Sequence, residues 1–288
     1  MLRLQEATGL EDLSPQWAWE GASGKGVRVA IVDSGVDYDH PALRGAQGRD
    51  DGVEIVVDED GSVREIPGPH SDDFGHGTAC AGIVRAFAPD AHITSVKVIG
   101  RQSGKAPGFL RGLAWAAQNG FDVINVSLGT SKRDWALPFY EICDVAYFNG
   151  CFITSAANNV QRISFPSLYA SVTSVACNLT TDPFRFHFNP SPPTEFLARG
   201  IDVDVAWVNG TVTRTTGNSF AAPHIAGIAA LVLSKHPGLR PFQVKTVLWA
   251  TAANVLEARD VPSRISRSSR RSGSLRASSA LVLRERGE

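Results

Sequence analysis

Residues 27–33 read VRVAIVD and, apart from Arg28, stay apolar and largely β-branched until the final aspartate. A strand apolar at nearly every position has no solvent face, so it is buried on both sides, as in a parallel sheet covered by helices. Four further runs share this character: HITSVKVI (92–99), DVINVSLG (122–129), CFITSAA (151–157) and YASVTSVAC (169–177). Between them, helical patterns occupy 76–86, 107–119, 135–149 and 219–235, with a shorter one near 241–252. The alternation predicts an α/β fold of three layers, a central mostly parallel sheet flanked by helices. In such sheets, sites gather at the carboxyl ends of the strands.

The chain has 288 residues, 43% of them hydrophobic, enough for one large core or two smaller ones. Residues 1–255 are assigned to the folded domain. Within it, 50–74 reads as a β-hairpin insertion turning at Asp60-Gly61, either a surface ribbon or an arm that reaches the substrate. From 256 to 288 the chain is rich in Arg and Ser, and composition predicts a disordered tail. Seven arginines against Glu285 and Glu288 give residues 261–288 a charge of +5, leaving the body at −6 of the total −1. A mildly acidic body argues against nucleic acid as a partner and leaves an acidic partner open for the tail alone.

No run of about 18 apolar residues is present, so no transmembrane helix and no membrane partner are expected. The opening MLRLQEATGLEDLSPQ has no signal-peptide core, which predicts a cytoplasmic protein, or a secreted one if a leader and pro-segment were removed. Four cysteines are too few for a disulfide scaffold. They read as buried thiols, although count alone allows Cys143 and Cys151 to pair.

Three short motifs carry candidate chemistry. Asp33 ends the first buried strand, in VAIVDSG, where a carboxylate is costly unless hydrogen-bonded. His76 stands between two glycines at a helix start, in DDFGHGTACAGI. Ser219 stands in GNSFAAPHIAG, again a small-residue turn opening a helix, where a serine suits either a helix cap or a nucleophile. A serine hydroxyl becomes nucleophilic only with an adjacent base, and that base needs an orienting acid. The chain supplies one of each, in the order Asp, His, Ser.

In that order, VAIVDSG, HGTACAGI and GNSFAAPHIAG resemble the aspartate, histidine and serine blocks of the subtilisin-like serine proteases. DVINVSLG is similar to that family's substrate-pairing strand and ITSAANN to its oxyanion-asparagine segment, and the likeness runs from about residue 9 to 255. It implies a serine endopeptidase with Ser219 as nucleophile, His76 as base, Asp33 as orienting acid and Asn158 as oxyanion donor, Asn159 being the competing register. It implies that Ser127, Leu128 and Gly129 pair with an extended peptide, and that a pocket walled by 127–129 and Ala156, Ala157 and Asn158 has Ser164 near its floor. A mid-sized apolar side chain suits that pocket. Arg101 and Lys105 would flank outer subsites or be solvated loop charges, and Pro166 matches a cis-proline position, whereas the sequence alone favours the trans bond that most X-Pro pairs adopt. Cys80, one helical turn after His76, reads as a buried thiol and not a second nucleophile.

The chain departs from the family pattern at four places. Asn218 replaces the usual threonine and Ala157 the usual glycine. HGTACAGIVRAF runs straight into APDAHITSVKV without the Asn/Gly-rich calcium loop, and Ala42 stands where relatives place a carboxylate. A calcium site needs six to eight oxygens, so no metal or other cofactor is expected. The competing reading is a pseudoprotease, a peptide-binding module that keeps the groove without the chemistry. A dedicated processing enzyme is expected over a broad degradative one.

Overall fold

The computed structural model describes residues 9, 12–100, 103–160 and 162–260. The expectations for Arg101 and for the tail from 261 onward lie outside the described residues. In chain order the strands are β1 (Arg28–Asp33), β2 (Val53–Val57), β3 (Val63–Pro67), β4 (His92–Lys97), β5 (Ile99–Gly100), β6 (Ser103–Gly104) and β7 (Val123–Val126). They continue as β8 (Phe152–Ala156), β9 (Val172–Asn178), β10 (His187–Phe188), β11 (Phe196–Arg199), β12 (Val203–Trp207) and β13 (Thr211–Thr215). The helices are α1 (Pro15–Ala18), α2 (His76–Phe87), α3 (Ala106–Gln118), α4 (Ala136–Phe148), α5 (Asn218–Lys235), α6 (Pro241–Thr251) and α7 (Ala253–Asp260).

The main sheet runs β10-β11-β9-β8-β7-β1-β4-β2-β3. Every pairing from β11 to β2 is parallel, and an antiparallel strand closes each edge, β10 at one and β3 at the other. The five apolar runs form the interior of this sheet, as their unbroken hydrophobicity predicts. β1 makes the two-sided burial explicit: Val29 and Ile31 pack into one core with α2 and α5, while Ala30 and Val32 pack into another with α3 and α4. Helix α5 is buried along most of its length, from Phe220 to Leu233, because α2 and α6 cover the face it turns away from the sheet.

The hairpin of β2 and β3 does not stand off as a separate ribbon. β2 pairs in parallel with β4, so the insertion becomes the edge of the main sheet. Val53 and Ile55 of β2 enter the core beneath α3, and an ionic link adds to this: Lys97, buried at the end of β4, reaches Glu54 at 3.2 Å and Asp73 at 3.0 Å. Buried cations need such partners, and this one draws the hairpin and the segment before α2 to the same strand end.

A second hairpin, β12 with β13, was not expected from the sequence. Asn209 and Gly210 both have positive φ, 60° and 70°, the left-handed pair that a tight two-residue turn requires. The Asn-Gly dipeptide between two alternating runs was its readable signal. The Phe165–Pro166 bond is cis, as is Pro192–Pro193. All four cysteines are free, Cys143 and Cys151 included. No helix among the described residues is long and apolar enough to cross a membrane.

Candidate active site

Asp33 is the last residue of β1 and fully buried. Its carboxylate receives Ser34 N–H at 2.8 Å, and both its oxygens lie 2.8 Å from His76 Nδ1. A carboxylate only accepts, so Nδ1 carries the proton and the neutral imidazole keeps its lone pair on Nε2. Burial alone would push the His76 pKa down. The charge and hydrogen bond of Asp33 outweigh it, Asp72 adds to them, and the imidazole titrates above its ordinary value.

His76 opens α2, and the glycines beside it are required by space. Gly75 has φ of 109°, and a Cβ there would stand 2.5 Å from the Trp207 ring. A Cβ on Gly77 would stand 2.1 Å from the Gly35 carbonyl oxygen. A glycine cap brings no side chain, so Asp72 caps α2 from outside. Its carboxylate accepts from Phe74 N, Gly75 N, Thr78 N and the Thr78 and Ser34 hydroxyls, at 2.6–3.0 Å. Ser34 Oγ in turn accepts Gly77 N–H at 3.0 Å. Asp72 and Ser34 were missed from the sequence, although an aspartate in a turn before a helix is a recognisable cap.

Ser219 is the second residue of α5, behind a Gly217 cap that makes no side-chain bond. The capping role therefore does not fall to Ser219. Its hydroxyl is half-exposed and donates to the Ser127 carbonyl at 3.2 Å. Its backbone N–H lies in the first turn, where no intrahelical acceptor exists and the helix dipole is positive. No hydrogen bond joins Ser219 Oγ to His76 among the described residues.

Asn158 follows β8 at the same end of the sheet. Its Oδ1 accepts Val160 N–H at 3.1 Å, while its Nδ2 has no partner among the described residues. Asn159 is engaged differently: its Oδ1 accepts the backbone N–H of Asn218 at 3.0 Å. The neighbouring residues divide between two clefts. Ala157, Asn158 and Ser164 line one of about 420 Å³, with Arg162 as its charged lining residue. Leu128 and Gly129 line another of about 240 Å³, with Val98, Lys105 and Phe109. A Cβ on Gly129 would stand 2.2 Å from Ser164 Oγ, so a lining residue of one cleft packs against a lining residue of the other. Ala156 is buried, and Ser127 is buried with its hydroxyl donating to Ser219 O at 2.8 Å.

Among the described residues, Asp33, His76 and Cys80 form the group whose ligand atoms could share a metal, all within 4.8 Å. Cys80 Sγ lies 3.8 Å from Asp33 Oδ2 and 3.4 Å from Ser127 Oγ. Burial first, then the Asp33 charge, holds the thiol well above its usual pKa. It therefore stays protonated, which suits neither a nucleophile nor a hard-cation ligand.

The subtilase family model matches residues 24–274. Subtilisin DY of Bacillus licheniformis is 33% identical over 255 residues, covering 82% of this chain and 87% of that one. Subtilisin E of Bacillus subtilis is 32% identical over 249 residues and covers 81% of this chain; the match spans 62% of that relative's length. Among solved structures, a cold-adapted subtilisin-like serine proteinase superimposes with a TM-score of 0.63 at 25% identity, covering 82% of this chain and 87% of that one. A lanthipeptide protease shares the fold with a TM-score of 0.67 at 24% identity, covering 86% and 87% of the two chains.

Proposed function

The chain belongs to the subtilase family of serine endopeptidases, and from that premise we propose that it cleaves peptide bonds through Ser219, His76, Asp33 and Asn158. The observation that carries this reading is the bond of His76 Nδ1 to both Asp33 oxygens, which leaves Nε2 as the basic nitrogen. Rotation about the Ser219 Cα–Cβ bond transfers its hydroxyl from the Ser127 carbonyl to that nitrogen. Ser219 Oγ attacks the scissile carbonyl carbon while His76 takes its proton. Asp33 keeps the tautomer and stabilises the imidazolium. The oxygen of the tetrahedral intermediate collects the free Asn158 Nδ2–H and the Ser219 N–H. Collapse breaks the C–N bond, His76 protonates the departing amine, and water repeats the sequence to release the acid and restore Ser219.

The substrate lies extended along 127–129, where Leu128 and Gly129 have no backbone partner among the described residues. The cleft of Ala157, Asn158 and Ser164 takes the side chain before the scissile bond. Its lining holds no acid and includes Arg162, which disfavours a basic residue there and leaves a mid-sized apolar one as the fit. Residues 1–255, with α7 continuing to Asp260, form the peptidase domain in this reading, and the charge of the basic residues beyond it suits an acidic partner. Free thiols at Cys80, Cys143, Cys151 and Cys177 favour work in a reducing cytoplasm. The arrangement needs no metal or cofactor.

Fluorophosphonate labelling tests the proposal: wild type is labelled and Ser219→Ala is not. Absence of label on the folded wild-type protein would overturn it in favour of a non-catalytic peptide-binding module. Digestion of a mixed peptide library then separates the two enzymatic roles. Cleavage at a narrow set of sites is expected of a dedicated processing enzyme, and cleavage throughout would refute that role.

A further inference from the structure

Asn218 is the residue immediately before the proposed nucleophile, and its side chain is turned away from solvent, 7% exposed. A buried amide has two donor hydrogens and an acceptor to satisfy, and here all are used. Nδ2 donates to the Ala157 carbonyl at 3.0 Å and to the Asn158 carbonyl at 3.1 Å. Oδ1 accepts the Cys177 amide at 2.9 Å, at the end of β9. The backbone N–H of the same residue donates to Asn159 Oδ1 at 3.0 Å.

These four bonds have one geometric consequence. Three of them end on consecutive residues 157–159, the segment that presents Asn158, and the fourth anchors the assembly to a core strand. The start of α5 and the loop after β8 are far apart in sequence, and the loop is not regular structure at the point of contact. With Ala157 and Asn158 held by their carbonyls, the free amide Nδ2 of Asn158 is set in place relative to the Ser219 N–H. An oxyanion site requires this of its two donors: a displacement of a fraction of an ångström costs rate without costing substrate affinity.

We infer that Asn218 is a positioning residue, tying the loop of the oxyanion donor Asn158 to the turn that carries the nucleophile Ser219. The inference rests on the proposed roles of those two residues. Asn218 does not itself meet the reacting atoms, since its amide group is spent on the loop and on β9.

The test is a double-mutant cycle on the whole chain with a chromogenic peptide substrate, kcat and KM being measured separately and Tm alongside. Asn158→Ala lowers kcat by about 100-fold, the scale measured for this donor in subtilisin itself. Asn218→Ala is expected to lower kcat by a comparable factor with KM within about threefold of wild type. Because Asn218 acts through Asn158, the double variant should fall no more than about threefold below Asn158→Ala alone. Should Asn218→Ala fail to fold, Asn218→Ser carries the same cycle, since its hydroxyl is too short to reach both carbonyls and the Cys177 amide together. A lowered Tm with unchanged kcat, or full additivity with Asn158→Ala, overturns the positioning role. If Asn158→Ala leaves kcat unchanged, the oxyanion assignment beneath it fails first, and the two failures are told apart by that single variant.

Discussion

Helices α2 and α5 begin in nearly the same way, on a glycine cap in a small-residue turn, yet their starts are held to opposite ends. At α2 the groups that orient the histidine are engaged, His76 Nδ1 on Asp33, Gly77 on Ser34 and the Thr78 amide on Asp72, and only Nε2 of the ring is left for the cleft. At α5 the polar groups that face the cleft are unspent. Ser219 N–H has no intrahelical acceptor, Asn158 Nδ2 has no partner among the described residues, and Ser219 Oγ rests on a carbonyl. The difference follows from what each must do. A base has to be held in one tautomer and one orientation, whereas groups that receive the substrate have to be available when it arrives.

Four experiments break or sharpen that contrast, in descending order of effect. Asp33→Asn strikes the engaged side, and kcat should fall by about 10,000-fold, the scale found when such an acid is replaced in a serine-protease triad. The same variant reports on pH. Asp33 raises the His76 pKa in the native protein, so wild-type kcat/KM should fall with acid below a midpoint above the ordinary imidazole value. Replacing Asp33 should move that acid limb to lower pH. Stability runs the other way: a raised folded pKa favours the protonated native state, so the His76–Asp33 pair contributes most below the unfolded imidazole pKa. That contribution is lost as pH rises through the folded value. A kcat/KM profile unmoved by Asp33→Asn would contradict the bond geometry.

Asn158→Ala strikes the open side. Fluorophosphonate labelling should slow by about 100-fold or more in step with kcat, a magnitude that belongs to subtilisin itself. Gly75→Ala acts on packing: the new methyl meets the Trp207 ring at a left-handed φ. Thermal unfolding should register a loss of about 3 kcal/mol. Excess EDTA should do least and leave Tm unchanged. Arg85 donates to the carbonyls of Pro89 and Arg44, and the Lys245 ammonium sits among the carbonyls of Ala170 and Val172 and the Glu195 carboxylate. These oxygens are satisfied by the protein's own cations, and a hard metal ion needs six to eight oxygens. A large drop in Tm on chelation would refute this.

The buried strands were legible because two-sided burial forces an unbroken apolar run. β1, β4, β7 and β8 fall within the stretches read from hydrophobicity alone, and β9 runs one residue past its stretch. Of the edge elements, only the β2–β3 hairpin was legible, through Asp60-Gly61. β10 and β11 are short and only partly buried, so they carry no such run, and the β12–β13 hairpin showed itself only through Asn209-Gly210.

For the site, the sequence by itself determined which residues could do the chemistry. One acid, one histidine between glycines and one serine at a helix start stand in the order of the subtilase triad. Residue type and local turn geometry are properties of short segments, and short segments are what a sequence displays. Which groups are bound and which are left free was decided only by tertiary structure. The sequence could present Asn218 as a departure from the family's threonine. That its amide joins Ala157, Asn158 and Cys177 follows from the parallel sheet, which brings the ends of β8 and β9 beside the start of α5. Hydrogen bonds between segments so far apart in the chain leave no periodicity to read. Their partners are chosen by the packing of the whole sheet.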